Sequence, residues 1–190
     1  MTLKEPNHLD RYKLEGLGEW SSLIFPRVRR ETPRTNSSGE HVVDYVPVGY
    51  VFVIDLKFGD RAQWKLPAGH RKKASMCKPG EEPDRTPLDT AVRELHGETG
   101  IGLTPESFTY VGKWLHWQKN HWKILFTADL SETDSNWMND HHHENDGEKP
   151  KFFTAEEFYV EVRADMFMRE HYEKLKEFAL ILPFDRDKVA

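Results

Sequence analysis

Three features of this 190-residue sequence predict an α+β fold or a mixed β-sheet between helices. Residues 48–56 are an almost unbroken β-branched and aromatic run, the pattern of a strand buried on both faces. Residues 86–100 carry helix signals at both ends. Residues 108–117 and 121–130 read as two strands joined by Gln118-Lys119-Asn120, a hairpin.

In chain order, residues 1–20 are polar, with Leu9, Tyr12, Leu14 and Leu17 loosely spaced. A short helix and an extended arm both fit that spacing. The reading is one domain over 1–190, with 1–40 as an N-terminal arm or extension. Leu23-Ile24-Phe25 runs into Pro26 and an arginine-rich stretch, read as an edge strand leading into a loop. Gly59-Asp60 makes a turn, and residues 62–66 return as a strand that stops at Pro67-Ala68-Gly69. Pro79, Gly80 and Pro83 deny regular structure to residues 70–85.

The helix that follows has Thr86 as cap, Pro87 at its first position, Asp89 where a capping-box acid belongs and Gly100 as a left-handed stop. Leu88, Ala91, Val92 and Leu95 form its apolar stripe. Beyond the hairpin, residues 131–150 read as a polar loop containing His141, His142 and His143. Phe152 opens a strand-to-helix passage. Met168, Tyr172, Leu175 and Ala179 then mark a helix over 165–182.

Composition narrows the function classes. The chain is 37% hydrophobic, too apolar for a disordered segment. Lys and Arg number 27 against 32 Asp and Glu, a net charge of −5, which argues against nucleic acid and anionic membranes as partners. No apolar run approaches the roughly 18 residues of a membrane span, and residues 1–16 lack the apolar stretch of a secretory leader. A single cysteine, Cys77, excludes an intrachain disulfide and a zinc site built on two cysteines. A reduced, cytoplasmic protein is the expectation.

Chemistry concentrates on the 86–100 helix. Glu94 and Glu98 stand one turn apart on one face, away from the apolar stripe. Like charges at that spacing repel, and a divalent cation between them relieves the repulsion. A solvated helix face is the plainer alternative for two glutamates considered alone. His70, directly after Gly69, either touches a phosphate or serves the turn. Of Trp114, Trp117 and Trp122, at least two pack into the core and one can stack on a base or sugar. Three adjacent histidines cannot converge on one ion from regular structure, so residues 141–143 read as solvated loop. Arg27, Arg29, Arg30, Arg34, Arg71, Lys72 and Lys73 form basic clusters, either screened surface charge or a rim that attracts phosphate.

Leu66-Pro67-Ala68-Gly69, Arg93-Glu94-Leu95, Glu98 and Gly100-Ile101, with Phe152-Phe153 and Glu156-Glu157 farther on, resemble the Nudix family over roughly residues 48–160. The family box is a glycine, five residues, a glutamate, seven residues, then Arg-Glu-aliphatic-X-Glu-Glu-X-Gly-aliphatic. The sequence departs from it in three places. Gly97 stands where the first of the paired glutamates belongs. Gly69 and Arg93 lie about ten residues farther apart than in the box. Counting eight back from Arg93 reaches Arg85 in place of the expected glutamate, and Glu81 or Glu82 could take over only if the insertion lies on the helix side of them.

The resemblance implies a Nudix-type α/β/α sandwich with a mixed β-sheet and hydrolysis of a pyrophosphate bond in a nucleoside diphosphate derivative. The Pro-Ala-Gly lead-in is common among ADP-sugar pyrophosphatases and favours an ADP-ribose or ADP-sugar substrate. It implies Mg²⁺, or Mn²⁺, held by Glu94 and Glu98 with Glu148 as supplementary ligand. Glu98, Glu94 and Arg93 are the catalytic set, and His70 and Trp117 the substrate-binding one. The partner is a small nucleotide, and a homodimer paired through the N-terminal arm is one arrangement. The alternative implied by Gly97 and Arg85 is a catalytically weak Nudix-fold domain that binds a nucleotide or protein.

Overall fold

The computed structural model describes residues 18–116, 120–132 and 148–181. Among these, seven strands form one sheet: β1 (Trp20–Thr35), β2 (His41–Asp55), β3 (Trp64–Lys65), β4 (Ala68–His70), β5 (Phe108–His116), β6 (His121–Ser131) and β7 (Glu148–Thr154). Three α-helices accompany it, α1 (Pro87–Thr99), α2 (Ala155–Arg163) and α3 (Arg169–Glu177). The main strand order is β3-β2-β1-β6-β5, with β4 also on β1 and β7 also on β2. β1 and β6 run parallel and the other pairs antiparallel, so the sheet is mixed as expected. No helix among the described residues is long and apolar enough to cross a membrane.

Alternation along the strands builds two cores, one on each face of the sheet. Ile24 and Val28 of β1, Val51 of β2 and Ile124 of β6 face Ala91 and Leu95 of α1. Leu23, Phe25, Phe52 and Leu125 face the other way, onto Phe158 of α2 and Leu175 of α3. This is the α/β/α sandwich the sequence implies. Each fully buried aliphatic or Phe side chain contributes about 1.5–3 kcal/mol to it.

The largest correction concerns β1. Residues 20–29 are not an edge strand; there β1 is central, flanked by β6 on one side and by β4 then β2 on the other, and from Arg30 to Thr35 it pairs with β2 alone. Pro26 reads as an edge signal because it lacks an N–H. In β1 it falls where the neighbour changes from β4, which ends its pairing at Leu23, to β2, which begins at Arg27. β2 begins at His41, well before the apolar run, and its outer half pairs with residues 29–35 of β1 as an exposed ribbon.

Around the helix the sequence and structure agree closely. Thr86 accepts the Asp89 N–H while the Asp89 carboxylate accepts the Thr86 N–H, and Gly100 takes φ 73° at the far end. Residues 70–85 hold only a short 3-10 turn, Ala74–Met76. α3 is shorter than the predicted 165–182 helix. Met166 and Met168 spend their backbone groups on Trp64, at 2.7 and 2.8 Å, so the helix starts only at Arg169. Ala179, at φ 53°, follows its end.

Candidate active site

Two elements set up the site. The chain between β3 and β4 passes under α1, and β1 ties both together. Ser22 Oγ donates to the Pro87 carbonyl at 2.6 Å, and Trp20 Nε1 to Thr90 Oγ1 at 2.9 Å. The face of α1 that carries Glu94 and Glu98 is thereby held against Ala68 and Gly69.

Glu98 accepts the Ala68 N–H at Oε2, 2.9 Å, and lies 3.7 Å from Lys65 Nζ through Oε1. Lys65 also reaches Glu148 Oε1, at 2.6 Å. Glu148 is therefore not a loop residue, as the sequence reading had it, but the first residue of β7, opposite Asp55 of β2. The side chains of Glu94, Glu98 and Glu148 are only 15%, 11% and 16% exposed. Burial, then the hydrogen-bonding Glu148 carboxyl, pushes Glu98 up to about 9. Burial raises Glu94 as well, against Arg93 and with added repulsion from Asp84 and Glu148. Burial works against the Lys65 ammonium, but Glu98 and Glu148 outweigh it and raise its pKa.

Arg93 binds both the loop and the acids. Its Nη2 donates to the His70 carbonyl at 2.8 Å and to Asp84 Oδ2 at 2.8 Å, its Nε to Asp84 Oδ1 at 3.1 Å, and its Nη1 to Glu94. Asp84 is buried and also accepts the Lys72 N–H and the Thr90 hydroxyl. Burial alone would raise its carboxyl, yet Arg93 and these donors hold it below the usual range.

Asp84 resolves the third departure from the box. Arg85 is exposed, Glu81 pairs with Lys72, and Glu82 pairs with Arg85. The carboxylate that meets Arg93 comes from Asp84, one residue before the expected register. An acid directly beside the expected position was the available signal. Lys65 is the other residue the sequence did not single out, because its importance comes from β3 pairing with β2 beside β7.

Gly97 leaves an open position: a Cβ built there meets nothing within 4 Å. His70 is exposed and turns its ring edge onto His121, with centroids 5.0 Å apart. Trp114 packs against Phe178 on one face of the sheet and Trp122 against the core on the other. Trp117, His141, His142 and His143 lie outside the described residues. The basic clusters are matched by local partners rather than forming a phosphate rim. Arg27 and Arg29 meet Asp129, Arg30 meets Glu132, Arg34 meets Asp44, Lys72 meets Glu81 and Lys73 meets Glu19. The Arg71 guanidinium lies 4.3 Å over the Trp20 ring.

Among the described residues no three His, Cys, Asp or Glu side chains are drawn into a metal cage, and Lys65 supplies the positive charge between Glu98 and Glu148. The donor chemistry nonetheless suits a hard divalent cation. Glu94, Glu98 and Glu148 are carboxylates withdrawn from water within one another's field, and oxygen-only sets of this kind are what Mg²⁺ takes.

The NUDIX domain family model matches residues 51–175. The Phosphatase NudJ of Escherichia coli K12 is 31% identical over 85 residues, 44% of this chain and 49% of that protein. The Phosphatase NudJ of Shigella flexneri gives the same figures. The chain thus spans about half the length of the curated relatives it matches. A NUDIX-family hydrolase structure from Clostridium perfringens aligns with a TM-score of 0.51 at 10% identity, covering 86% of this chain and 98% of that one. That likeness is one of fold.

Proposed function

This chain belongs to the Nudix family, and from that premise we propose that it is a divalent-cation-dependent hydrolase of the pyrophosphate bond in a nucleoside diphosphate derivative. The observation that carries the reading is the packing of Glu94 and Glu98 against the Ala68–Gly69 segment, with Glu148 beside Glu98 and joined to it by Lys65. The Leu66-Pro67-Ala68-Gly69 lead-in favours an ADP-ribose or ADP-sugar substrate. The expected setting is the cytoplasm, with a small nucleotide as partner.

Glu94, Glu98 and Glu148 would hold Mg²⁺ or Mn²⁺, which supplies charge neutralisation of the pyrophosphate oxygens and a more acidic water. Lys65 holds Glu98 and Glu148 near each other and moves aside or stays as a second positive charge toward the phosphates. Arg93, fixed by Asp84, holds the His70 carbonyl and keeps the loop at its height over α1; a planar, multidentate guanidinium suits that task. One carboxylate of the cluster takes the proton of the attacking water.

A second reading rests on Gly97. With one box glutamate missing and Lys65 among the others, the same fold can bind a nucleotide, or a protein partner, without turning it over. A panel of nucleoside diphosphate derivatives, assayed with Mg²⁺ or Mn²⁺ on wild type and Glu98→Gln, separates the two. Hydrolysis is expected to need the metal and to fall by about 10²-fold or more in the variant. Tight nucleotide binding by calorimetry with no metal-dependent turnover would replace the hydrolase with the binding domain.

A further inference from the structure

A pocket of about 210 Å³ adjoins the glutamate site, and Lys65, Ala68 and Gly69 are among its walls. Most of its polar walls are already engaged. His121 has Ser21 Oγ 3.2 Å from its Nε2 and packs its ring against those of His70 and His116. Lys123 pairs with Glu170 at 2.7 Å, and Lys65 with Glu148 and Glu98.

His171 of α3, also a wall of the pocket, is different. It is only 4% exposed, and its Nδ1 accepts the Leu66 N–H at 3.1 Å. A backbone N–H can only donate, so Nδ1 bears the lone pair and Nε2 bears the proton. That Nε2–H meets no acceptor among the described residues. The one sealed side-chain nitrogen or oxygen without a partner among those residues is Arg29 Nε. His171 Nε2 is therefore not sealed, and it opens where the ring borders the pocket. A buried donor left without an acceptor costs free energy that a ligand can return.

The donor is placed relative to the acids. Leu66, which holds His171, follows Lys65, the residue between Glu98 and Glu148. Two residues later the Ala68 N–H goes to Glu98. One short segment thus fixes His171 on one side and Glu98 on the other. The chemistry of the space is that of an uncharged group. Burial, then Lys123, lowers the ring's pKa to about 3, so the N–H brings no charge. Leu23, Ala68 and Met168 are apolar walls, and both lysines are already matched, so a charged group gains no new partner there. The volume is below the roughly 300–1,000 Å³ of sites that take a whole drug-sized ligand, which suits one ring of a larger molecule.

We infer that His171 is a binding residue whose Nε2–H takes an uncharged acceptor, a sugar hydroxyl or an acceptor atom of the base, on a part of the substrate that extends beyond the pyrophosphate. The identity of that substrate as a nucleoside diphosphate derivative rests on the hydrolase reading above; the open donor does not.

Ring ¹⁵N NMR of the full chain at pH 7.5 with MgCl₂ reads the site directly. The probes are AMP and ribose 5-phosphate, which the proposed reaction does not consume. The His171 signals are identified by their loss in His171→Asn. The His171 Nε2–H signal is expected to shift on titration. Response to ribose 5-phosphate identifies a sugar hydroxyl, and response to AMP alone identifies an acceptor on the base. His171→Asn keeps an oxygen for the Leu66 N–H but removes the donor, so affinity for the active probe is expected to fall about five- to tenfold, the loss of one hydrogen bond. His171→Gln places an amide N–H near Nε2 and gives up the Leu66 bond. Its affinity should return toward wild type while its melting temperature falls, the reverse of what a merely structural ring would give. KM for ADP-ribose should rise in His171→Asn by the same factor with kcat nearly unchanged. A signal unmoved by both probes, or wild-type affinity in His171→Asn, overturns the subsite, and ADP-ribose turned over in the same preparation leaves the hydrolase standing. A signal that responds while no nucleoside diphosphate derivative is hydrolysed upholds the subsite and sinks the hydrolase.

Discussion

Gly69 and Glu94 are packed so closely that a Cβ on residue 69 would overlap the Glu94 carboxylate, far inside van der Waals contact. The obstacle is the flexible end of a side chain, not backbone, so the chain can accommodate a methyl group by moving Glu94. Gly69→Ala is therefore expected to keep most of the thermal stability while displacing the carboxylate proposed as a metal ligand. A shift of about 1 Å at a reacting centre costs about 10²-fold in rate. Activity lost with the melting temperature nearly unchanged is the expected signature. Melting and kcat measured on the same preparation check it.

Gly97 is the opposite case within the same motif. Nothing lies within 4 Å of a Cβ there, and a glycine inside a helix costs about 1 kcal/mol relative to Ala. Gly97→Glu is expected to raise the melting temperature without metal and to tighten Mn²⁺ binding by supplying the acid the box lacks. Calorimetric titration with Mn²⁺ measures the second effect. Affinity unchanged from wild type would mean that position 97 faces away from the ion.

Asp84 is a positioning residue. It gives Arg93 a bidentate partner, and Arg93 in turn holds the His70 carbonyl. Asp84→Asn keeps the shape and one acceptor but removes the charge. Hydrogen bonds to charged groups contribute about 1.5–3 kcal/mol, so a melting-temperature drop of about 3–12 °C is expected. kcat should fall more than KM rises, since the loop serves the reacting groups. Asp84→Glu should recover part of both, which a merely structural loss would not.

These residues also mark what the sequence made legible. The 87–99 helix was readable because Thr86, Asp89 and Gly100 act within a few residues of the backbone groups they satisfy. The Glu94–Glu98 pair followed from the period of that helix. Local signals failed where partners are remote. Pro26 is an edge signal unless two different strands share one side of β1. Asp84 lay one residue outside the expected register, behind an insertion of unknown shape. Lys65 joined the acids only because β7 and β3 both pair with β2.

Metal binding should be linked to pH through Glu98. Its carboxyl, at about 9, is raised above the ordinary 4.5 by burial and then by Glu148. A group raised in the folded state stabilises the fold below its unfolded pKa, and that contribution is lost as pH rises through the folded value. Metal-free protein is thus expected to lose stability between about pH 5 and 9. A cation must displace the proton, so its stabilisation grows over the same window. Melting with EDTA and with MgCl₂ at several pH values tests this. The Mg²⁺-induced shift should be larger at pH 8.5 than at pH 6.

His171 gives the acid side of the profile. It is buried, and Nδ1 accepts the Leu66 N–H, so the ring must stay neutral to keep that bond. Burial, then the Lys123 charge, lowers its pKa to about 3 from an ordinary 6.5. Between those values the unfolded chain binds a proton that the folded chain refuses, so stability must fall as pH drops below about 6.5. His171→Asn keeps an acceptor oxygen near Nδ1 but cannot titrate. It is expected to be less stable than wild type at pH 7.5, from the smaller side chain in the core, yet to lose less between pH 6.5 and 5. The readout is the slope of melting temperature against pH in the two proteins. Equal slopes would show that some other group carries the acid sensitivity of this fold.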